Sequence, residues 1–496
     1  RPTWKNRADS APPLRNHPPP TSSSPRSLDQ EPPKVLSFVL SGSEGEPGSW
    51  TILLEYWEFT GNVKLVVEST EEEPEVPDVP PPSSTSVLLD EDFGTNGRAT
   101  YTPGAAGGRR VVLDSLDRPV VCGTAIDAQG ARQLIVLRYT SSGKLDTDFG
   151  DEGVFTYGED PAASSGALDL AVDSSNRILV CGWVAPETEP RTDLLLLRLK
   201  SSGALDHGFA TEGVVQLDEG EDEAGTGVAI DEEGRILVAG ASRTSDNSTG
   251  EALLLRYESS GELDTAFADD GIVRTSDATD RGLDVGVDSS NHPVLLGIRN
   301  ENLALWKFDE GGAPQSSFGS GGIVTSAGEA GEYRVGRSLL IGEDNSLFVT
   351  GVRFFEDGAA PPEMVVWRYR ADGQPLTSFN GSGFLAYRHP DGWAAGASIA
   401  TDSEDRILVA GVTHSTDPDV VDASATLWRF YNYGSLDTSL PGSNGTGQAR
   451  FDVRSGDAGT AASSLFAADH GKFLVAGSAF VQETGAIDLL LWRLEP

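Results

Sequence analysis

The stretch Ser141-Ser142-Gly143-Lys144-Leu145-Asp146-Thr147-Asp148-Phe149-Gly150-Asp151-Glu152-Gly153-Val154 constrains this chain more than any other, because it recurs. Leu89-Asp90-Glu91-Asp92-Phe93-Gly94 leads to Gly97, Leu205-Asp206-His207-Gly208-Phe209-Ala210 to Gly213, and Leu263-Asp264-Thr265-Ala266-Phe267-Ala268 to Gly271. Weaker copies end at Phe318-Gly319 with Gly322 and at Phe379-Asn380 with Gly383, and a degenerate one reads Leu436-Asp437-Thr438-Ser439-Leu440. The anchor positions 93, 149, 209, 267, 318, 379 and 440 lie 51 to 61 residues apart. A period of that size marks a repeat architecture, in which each unit buries its apolar face against its neighbours.

The unit after Gly213 shows what one repeat contains. Val214 to Leu217, Thr226 to Ile230, Arg235 to Gly240 and Ala252 to Tyr257 read as four strands, separated by the acidic loop Asp218 to Gly225, the turn Asp231 to Gly234 and a further loop. Short strands punctuated by Gly, Asp, Asn and Ser are the pattern of an all-β repeat. The repeat region opens on a lone fourth-type strand, Arg98 to Thr102, and ends on a third-type strand, Ile487 to Leu494. Seven four-stranded blades are complete only if the first strand joins the last blade, which also removes the exposed edges of the ring. The expected fold is therefore an all-β, seven-bladed propeller over 87–496, closed by an N-terminal strand.

The strand before each anchor carries a basic residue behind a bulky apolar one: Leu137-Arg138, Leu197-Arg198, Leu255-Arg256, Trp306-Lys307, Trp367-Arg368, Trp428-Arg429 and Trp492-Arg493. A basic column in so acidic a chain points to a structural pairing. The anchor aspartates Asp146, Asp206, Asp264 and Asp437 are its candidate partners, unless they only close their own turns through Asx hydrogen bonds. Gln315 and Leu376 stand where two copies lack the aspartate.

The anchor, the Arg-Ile-Leu-Val-Ala-Gly strand at 235–240 and the Leu/Trp-Arg-Tyr strand together resemble the bacterial delta-60 repeat, a β-propeller family without an assigned activity. The resemblance spans about 87–496. It implies an exported bacterial protein, extracellular or at the cell surface, and brings no catalytic residues with it.

Upstream, residues 1–33 are Pro- and Ser-rich and read as an extended tail. Residues 34–70 read as a small β segment with strands at 35–40, 51–59 and 63–67, and 71–86 as a stiff acidic Pro-rich linker. Phe59-Thr60-Gly61-Asn62-Val63-Lys64-Leu65 is similar to a strand-turn-strand piece of bacterial immunoglobulin-like modules. A segment that small needs something to pack on. Leu53, Tyr56, Trp57 and Phe59 are accordingly candidate docking residues, toward another chain or the chain's own propeller.

Acidic residues outnumber basic ones 76 to 37 in 496, a net charge of −39, and a field of that sign repels nucleic acid. No run approaches the ~20 apolar residues of a membrane helix. No signal peptide is visible, and a chain starting at Arg1 reads as processed or trimmed. Cys122 and Cys181 replace the alanine found at 239, 410 and 476, so they read as two buried free thiols.

The six histidines are scattered, with no metal-binding or catalytic spacing, and no nucleophile elbow, phosphate loop or dinucleotide fingerprint occurs. No enzyme, cofactor or metal is expected. A glycan-acting lyase or hydrolase with a site at the channel mouth is the alternative. The acidic run Asp218 to Glu223 lacks the spacing of a calcium loop and reads as a solvated loop.

In an up-and-down blade the first and third connections share one face of the ring, and the middle and inter-blade connections share the other. The first face carries the regular turns and anchors. The second carries loops that differ in every copy: Trp183 to Asp193, Ser242 to Glu251, Phe354 to Glu363 and Thr413 to Ala423. Variable loops on a rigid scaffold are where recognition resides. Trp183, Phe354, Phe355, Trp393 and Phe480 are the candidate partner-binding residues. The function expected is a non-enzymatic binding or assembly protein that engages a protein partner or a copy of itself, with a surface glycan as a further ligand class.

Overall fold

The computed structural model describes residues 89–495, except 104, 128–129, 159–163, 187–190, 245–248, 276–278, 327, 359, 391, 416–422, 444, 452–456, 469–470 and 482–484, together with the backbone of Ser37–Ser41 and Ser49–Leu53. Those two strands form an antiparallel pair of their own, with Ser37 opposite Leu53. The tail, the linker, the third expected strand at 63–67, and Tyr56, Trp57 and Phe59 lie outside the described residues.

Residues from 98 onward build seven four-stranded antiparallel sheets. We call the strands of each blade a to d in spatial order. Blade 2, for example, consists of Ser164–Val172, Ile178–Ala185, Asp193–Leu199 and Val214–Leu217. The a strands contact one another in sequence, with the seventh contacting the first, so the ring is closed around a central channel. Blade 7 consists of Asp457–Ala467, Phe473–Val481 and Ala486–Leu494 and takes its d strand from Arg98–Tyr101, with Arg98 opposite Trp492 and Tyr101 opposite Leu489. Among the described residues the one helical element is the 3-10 turn Glu356–Gly358, and no helix is long and apolar enough to cross a membrane.

The core lies between blades. Leu179, Cys181, Leu194 and Leu196 of blade 2 pack on Val228, Ile236, Val238, Leu253 and Leu255 of blade 3. Phe93, Phe149, Phe209, Phe267, Phe318 and Phe379 are fully buried. Trp428 and Phe430 pack toward Met364 and Val366 of blade 5, while Leu427 packs on blade 7, as alternation along a strand requires. Both cysteines are free and buried.

Every a strand carries a β-bulge at the same level, between Gly108 and Arg110, Ala167 and Asp169, Gly225 and Gly227, Gly282 and Asp284, Gly336 and Ser338, Gly396 and Ser398, and Ala462 and Ser464. A bulge kinks its strand and re-aims the next side chain. The kink drives an a-strand carbonyl against the facing b strand. A Cβ at Gly182 would stand 1.9 Å from the Gly166 oxygen, and one at Gly351 2.0 Å from the Val335 oxygen. Only glycine fits there, which explains why Cys-Gly, Ala-Gly and their equivalents end the third apolar run of every repeat.

Candidate functional site

The two faces of the ring are built differently. On the face of the a–b turns and c–d anchors, the basic column closes a clamp. Arg138, Arg198, Arg256 and Arg429 pair through Nε with Asp146, Asp206, Asp264 and Asp437 at 2.7 to 2.9 Å. The second carboxylate oxygen accepts the turn N–H of Asp148, Gly208, Ala266 or Ser439. Each aspartate therefore pairs with the arginine and also closes its own turn. Burial opposes ionisation of Asp206, but the Arg198 hydrogen bond and charge outweigh it and hold the carboxyl below its usual range. Asp437 is pulled down to about 2 against burial by Ser439, Tyr431 and Arg429.

The same guanidinium sits over the blade's anchor ring, 4.7 Å from the centroid for Arg138 on Phe149 and 4.4 Å for Arg198 on Phe209. It also donates to a carbonyl of the next blade's turn, Arg138 to Ser201 and Arg198 to Ser259. Where blade 4 lacks the aspartate, Lys307 turns to Asp288 of the a–b turn at 2.8 Å. In blade 5, Arg368 Nε is buried without a partner. This face is architecture.

Among the described residues, the opposite face shows no repeated clamp and gathers an aromatic arc. Phe354, His414 and Phe480 hold one register position in blades 5, 6 and 7, each three residues beyond the bulge-facing Gly351, Gly411 and Gly477. Blades 1 to 4 carry Ile126, Ala185, Arg243 and Asn300 there. Tyr333 stacks on Phe354 at 5.3 Å between centroids, and Trp393 on His414 at 5.5 Å with planes 6° apart. Burial holds the His414 imidazole below its usual range, which favours the neutral ring. All four rings are half-buried. Beside them, Arg353 lies 5.3 Å from the Phe355 ring, Arg388 pairs with Glu363 at 2.6 Å, and Arg334 pairs with Glu332 at 2.6 Å.

Two sequence candidates sit elsewhere than expected. Trp183 and Phe480 belong to b strands rather than loops and are only 4% and 7% exposed. The b strand runs past the expected loop start, and the Trp183 ring covers Gly166, where a Cβ would lie 2.7 Å from its Nε1. Phe354 and Phe355 end their b strand, and Trp393 lies in an a strand.

The acidic run is also shorter than a loop. Asp222 and Glu223 begin the a strand of blade 3, and Glu223 is fully buried. Its carboxylate takes the Ser242 hydroxyl at 2.7 Å and the N–H groups of Glu219 and Glu221 at 3.3 Å, while burial pushes its pKa up. Oxygens of Asp193, Asp218 and Glu223 lie within 4.8 Å of one another, a donor set of the kind hard cations take. Sequence spacing could not show this, because Asp193 comes from the preceding blade.

The channel carries a third polar group. Behind the bulges, Arg110 pairs with Asp169 at 3.1 Å. Asp169 accepts Val228 N–H of the next blade at 2.9 Å, and Asp284 accepts Leu339 N–H of its next blade at 2.8 Å. Burial raises Asp284 to about 6, with Arg110 opposing and Asp169 assisting. Both carboxylates also take their own following N–H, so each acts as a stitch between blades.

Residues 120–149, 174–209 and 234–267 match a family described as a domain of unknown function (DUF5122) beta-propeller. The stretches end at Phe149, Phe209 and Phe267, the anchors of blades 1 to 3. No curated protein sequence matches the chain. Among solved structures, a catalytically inactive virginiamycin B lyase from Staphylococcus aureus with quinupristin aligns at 12% identity and TM-score 0.42, over 79% of this chain and 97% of that one. A polysaccharide lyase, an ulvan lyase, aligns at 8% identity and TM-score 0.46, over 78% of this chain and 97% of that one. The chain is thus a seven-bladed β-propeller, and three of its repeats match a β-propeller repeat family of unassigned function.

Proposed function

We propose that this protein is a non-enzymatic binding and assembly scaffold, exported by a bacterium as its resemblance to delta-60 repeats implies. The reading rests on the contrast between its faces. The turn face spends its polar groups on the neighbouring blade, whereas the loop face gathers half-buried aromatic pairs at 333/354 and 393/414 beside charged side chains. Aromatic rings rimmed by polar groups are the usual anchors of recognition. The partner is a protein, a second copy or a surface glycan, met at that mouth. The segment at 34–70 adds a docking device, since an isolated two-stranded hairpin such as the one at 37–53 is marginal by itself in water.

The test compares wild type with Trp393→Ala/Phe354→Ala on the loop face and Leu116→Ser on the turn face, in capture of cell-envelope components and in self-association. The loop-face variant loses capture and the turn-face variant keeps it. Equal capture by both variants refutes the reading. Turnover of an envelope polysaccharide by the purified wild-type protein would establish the lyase or hydrolase alternative instead.

A further inference from the structure

In six of the seven blades the basic column meets a carboxylate at 2.6 to 2.9 Å, that of Asp146, Asp206, Asp264, Asp288, Asp437 or Asp90. In three of them the fifth residue of the a–b turn converges on the same anchor carboxylate: Arg118 on Asp146 at 3.3 Å, Arg406 on Asp437 at 3.7 Å and Lys472 on Asp90 at 2.6 Å. Five a–b turns also open on an aspartate, at Asp114, Asp173, Asp231, Asp288 and Asp402.

Blade 5 has neither aspartate. Leu376 stands at the anchor and Gly342 opens the turn. The backbone register is unchanged, since Leu376 N–H bonds the Arg368 carbonyl at 2.8 Å as Asp146 N–H bonds that of Arg138 at 2.9 Å. Arg368 gives Nη1 to the Asn432 carbonyl of blade 6 and lies 4.7 Å from the Phe348 ring. What remains is its Nε–Nη2 edge, the edge with which Arg299 holds Asp280 and Arg353 holds Glu363. Arg368 Nε is buried without a partner, and among the described residues no carboxylate forms an ion pair with this guanidinium. Across the turn, Ser346 is 5% exposed and its hydroxyl also lacks a partner. A Cβ on Gly342 would stand 3.1 Å from that hydroxyl oxygen, so the hydroxyl faces the place where other turns put their aspartate. Asp344, at the rim, takes the Ser346 N–H at 3.0 Å. Burial pulls the Arg368 pKa down, and Asp344 and Asp405 oppose this from beyond ion-pair distance.

We propose that a small carboxylate anion from solution completes the clamp of blade 5, held by the Nε–Nη2 edge of Arg368 and by the Ser346 hydroxyl. A guanidinium edge takes a carboxylate in a two-pronged fork, and two buried donors at a place where the same fold elsewhere puts a carboxylate match that ligand. Leu376 keeps much of the space that the aspartate stem takes in other blades, which limits the anion to the size of formate or acetate. The net charge of −39 repels anions at long range, so these hydrogen bonds rather than the field hold it. Because Nη1 of the same guanidinium holds Asn432, binding tightens the junction between blades 5 and 6.

Thermal unfolding of the full chain in sodium formate, against sodium chloride of equal ionic strength, tests this. Wild-type Tm rises with formate, by about 2 °C for each tenfold increase once the site fills. Arg368→Met abolishes the response. Leu376→Asp, which supplies the carboxylate of the other blades, also abolishes it and starts from a higher Tm than wild type. Asp344→Asn strengthens it by removing a nearby like charge. No response in wild type, or an equal response in wild type, Arg368→Met and Leu376→Asp, means an adventitious ion only and overturns the proposal. The 15N resonance of Arg368 Nε in the wild-type chain gives a reading that needs no variant. A shift that saturates with formate supports the site, and a linear drift shared with Arg138 and Arg256 refutes it.

Discussion

Replacing Asp264 by alanine measures what the clamp contributes to one junction. Arg256 is 4% exposed, and its guanidinium is held by Asp264 at 2.7 Å, by the Glu310 carbonyl and by the Phe267 ring at 4.4 Å. Removing the carboxylate leaves the other two contacts and a buried charge without a counter-ion, which costs about 3–5 kcal/mol. The lost Asx bond to Ala266 N–H adds about 1 kcal/mol. No neighbour can substitute as Asp288 does for Lys307, because Asp231 already holds Arg235 at 2.6 Å. For a cooperative ring of about 400 residues, a 4 kcal/mol loss lowers Tm by about 5 °C. Replacing both partners, Arg256→Met with Asp264→Leu, removes the stranded charge and costs less than Asp264→Ala alone. Urea and calorimetric unfolding, followed by two probes to check that the ring melts as one unit, read Asp264→Ala, the double variant and its two single parts. A cost under 1 kcal/mol for Asp264→Ala, or a double variant that equals the sum of its parts, would refute the clamp as an energetic unit.

Three further outcomes follow from the same geometry. Ala99→Pro removes a ladder donor from the strand that pairs Ala99 with Leu491, and blade 7 then loses protection against exchange before blades 1 to 6 do. Native protein shows no thiol reactive toward an aromatic disulfide reagent and two after unfolding, because Cys122 and Cys181 are free and fully buried. Asp284 carries a folded pKa of about 6 against 3.8 unfolded, so its ionisation disfavours the fold. That penalty is absent below pH 3.8, grows as pH rises to 6 and is then constant at about 3 kcal/mol. Stability of wild type relative to Asp284→Asn therefore rises as pH falls from 7 to 4, and a flat difference across that range refutes the assignment.

The fold was legible because its determinants are local and repeated. Anchor spacing set the blade count, and the unmatched strands at 98–102 and 487–494 required the closure that the register Ala99 to Leu491 displays. The basic column announced a pairing, and Asp146 answers it with one oxygen while closing its turn with the other. What stayed hidden depends on more than one strand at a time. A bulge adds a single residue without disturbing the apolar pattern around it, so nothing in Ala167-Leu168-Asp169 foretold that Asp169 would reach Val228. The carboxylate group at 193, 218 and 223 assembles across a blade boundary. Trp183 looked like a loop aromatic because the end of its strand is set by pairing with Gly166, which the sequence of either strand alone does not reveal.

The donated strand also orders events in time. Hairpins within a blade join residues a few positions apart and form in microseconds. The contact between Ala99 and Leu491 spans nearly the whole propeller. Closing a loop that long costs about 5 kcal/mol of chain entropy before any stabilising contact forms. As the chain emerges from the ribosome, blades 1 to 6 can stack in order, while Arg98–Tyr101 waits as an unpaired edge until residues 486–494 arrive. During that interval the edge can pair with the wrong chain, so ring closure is the step most sensitive to protein concentration during refolding.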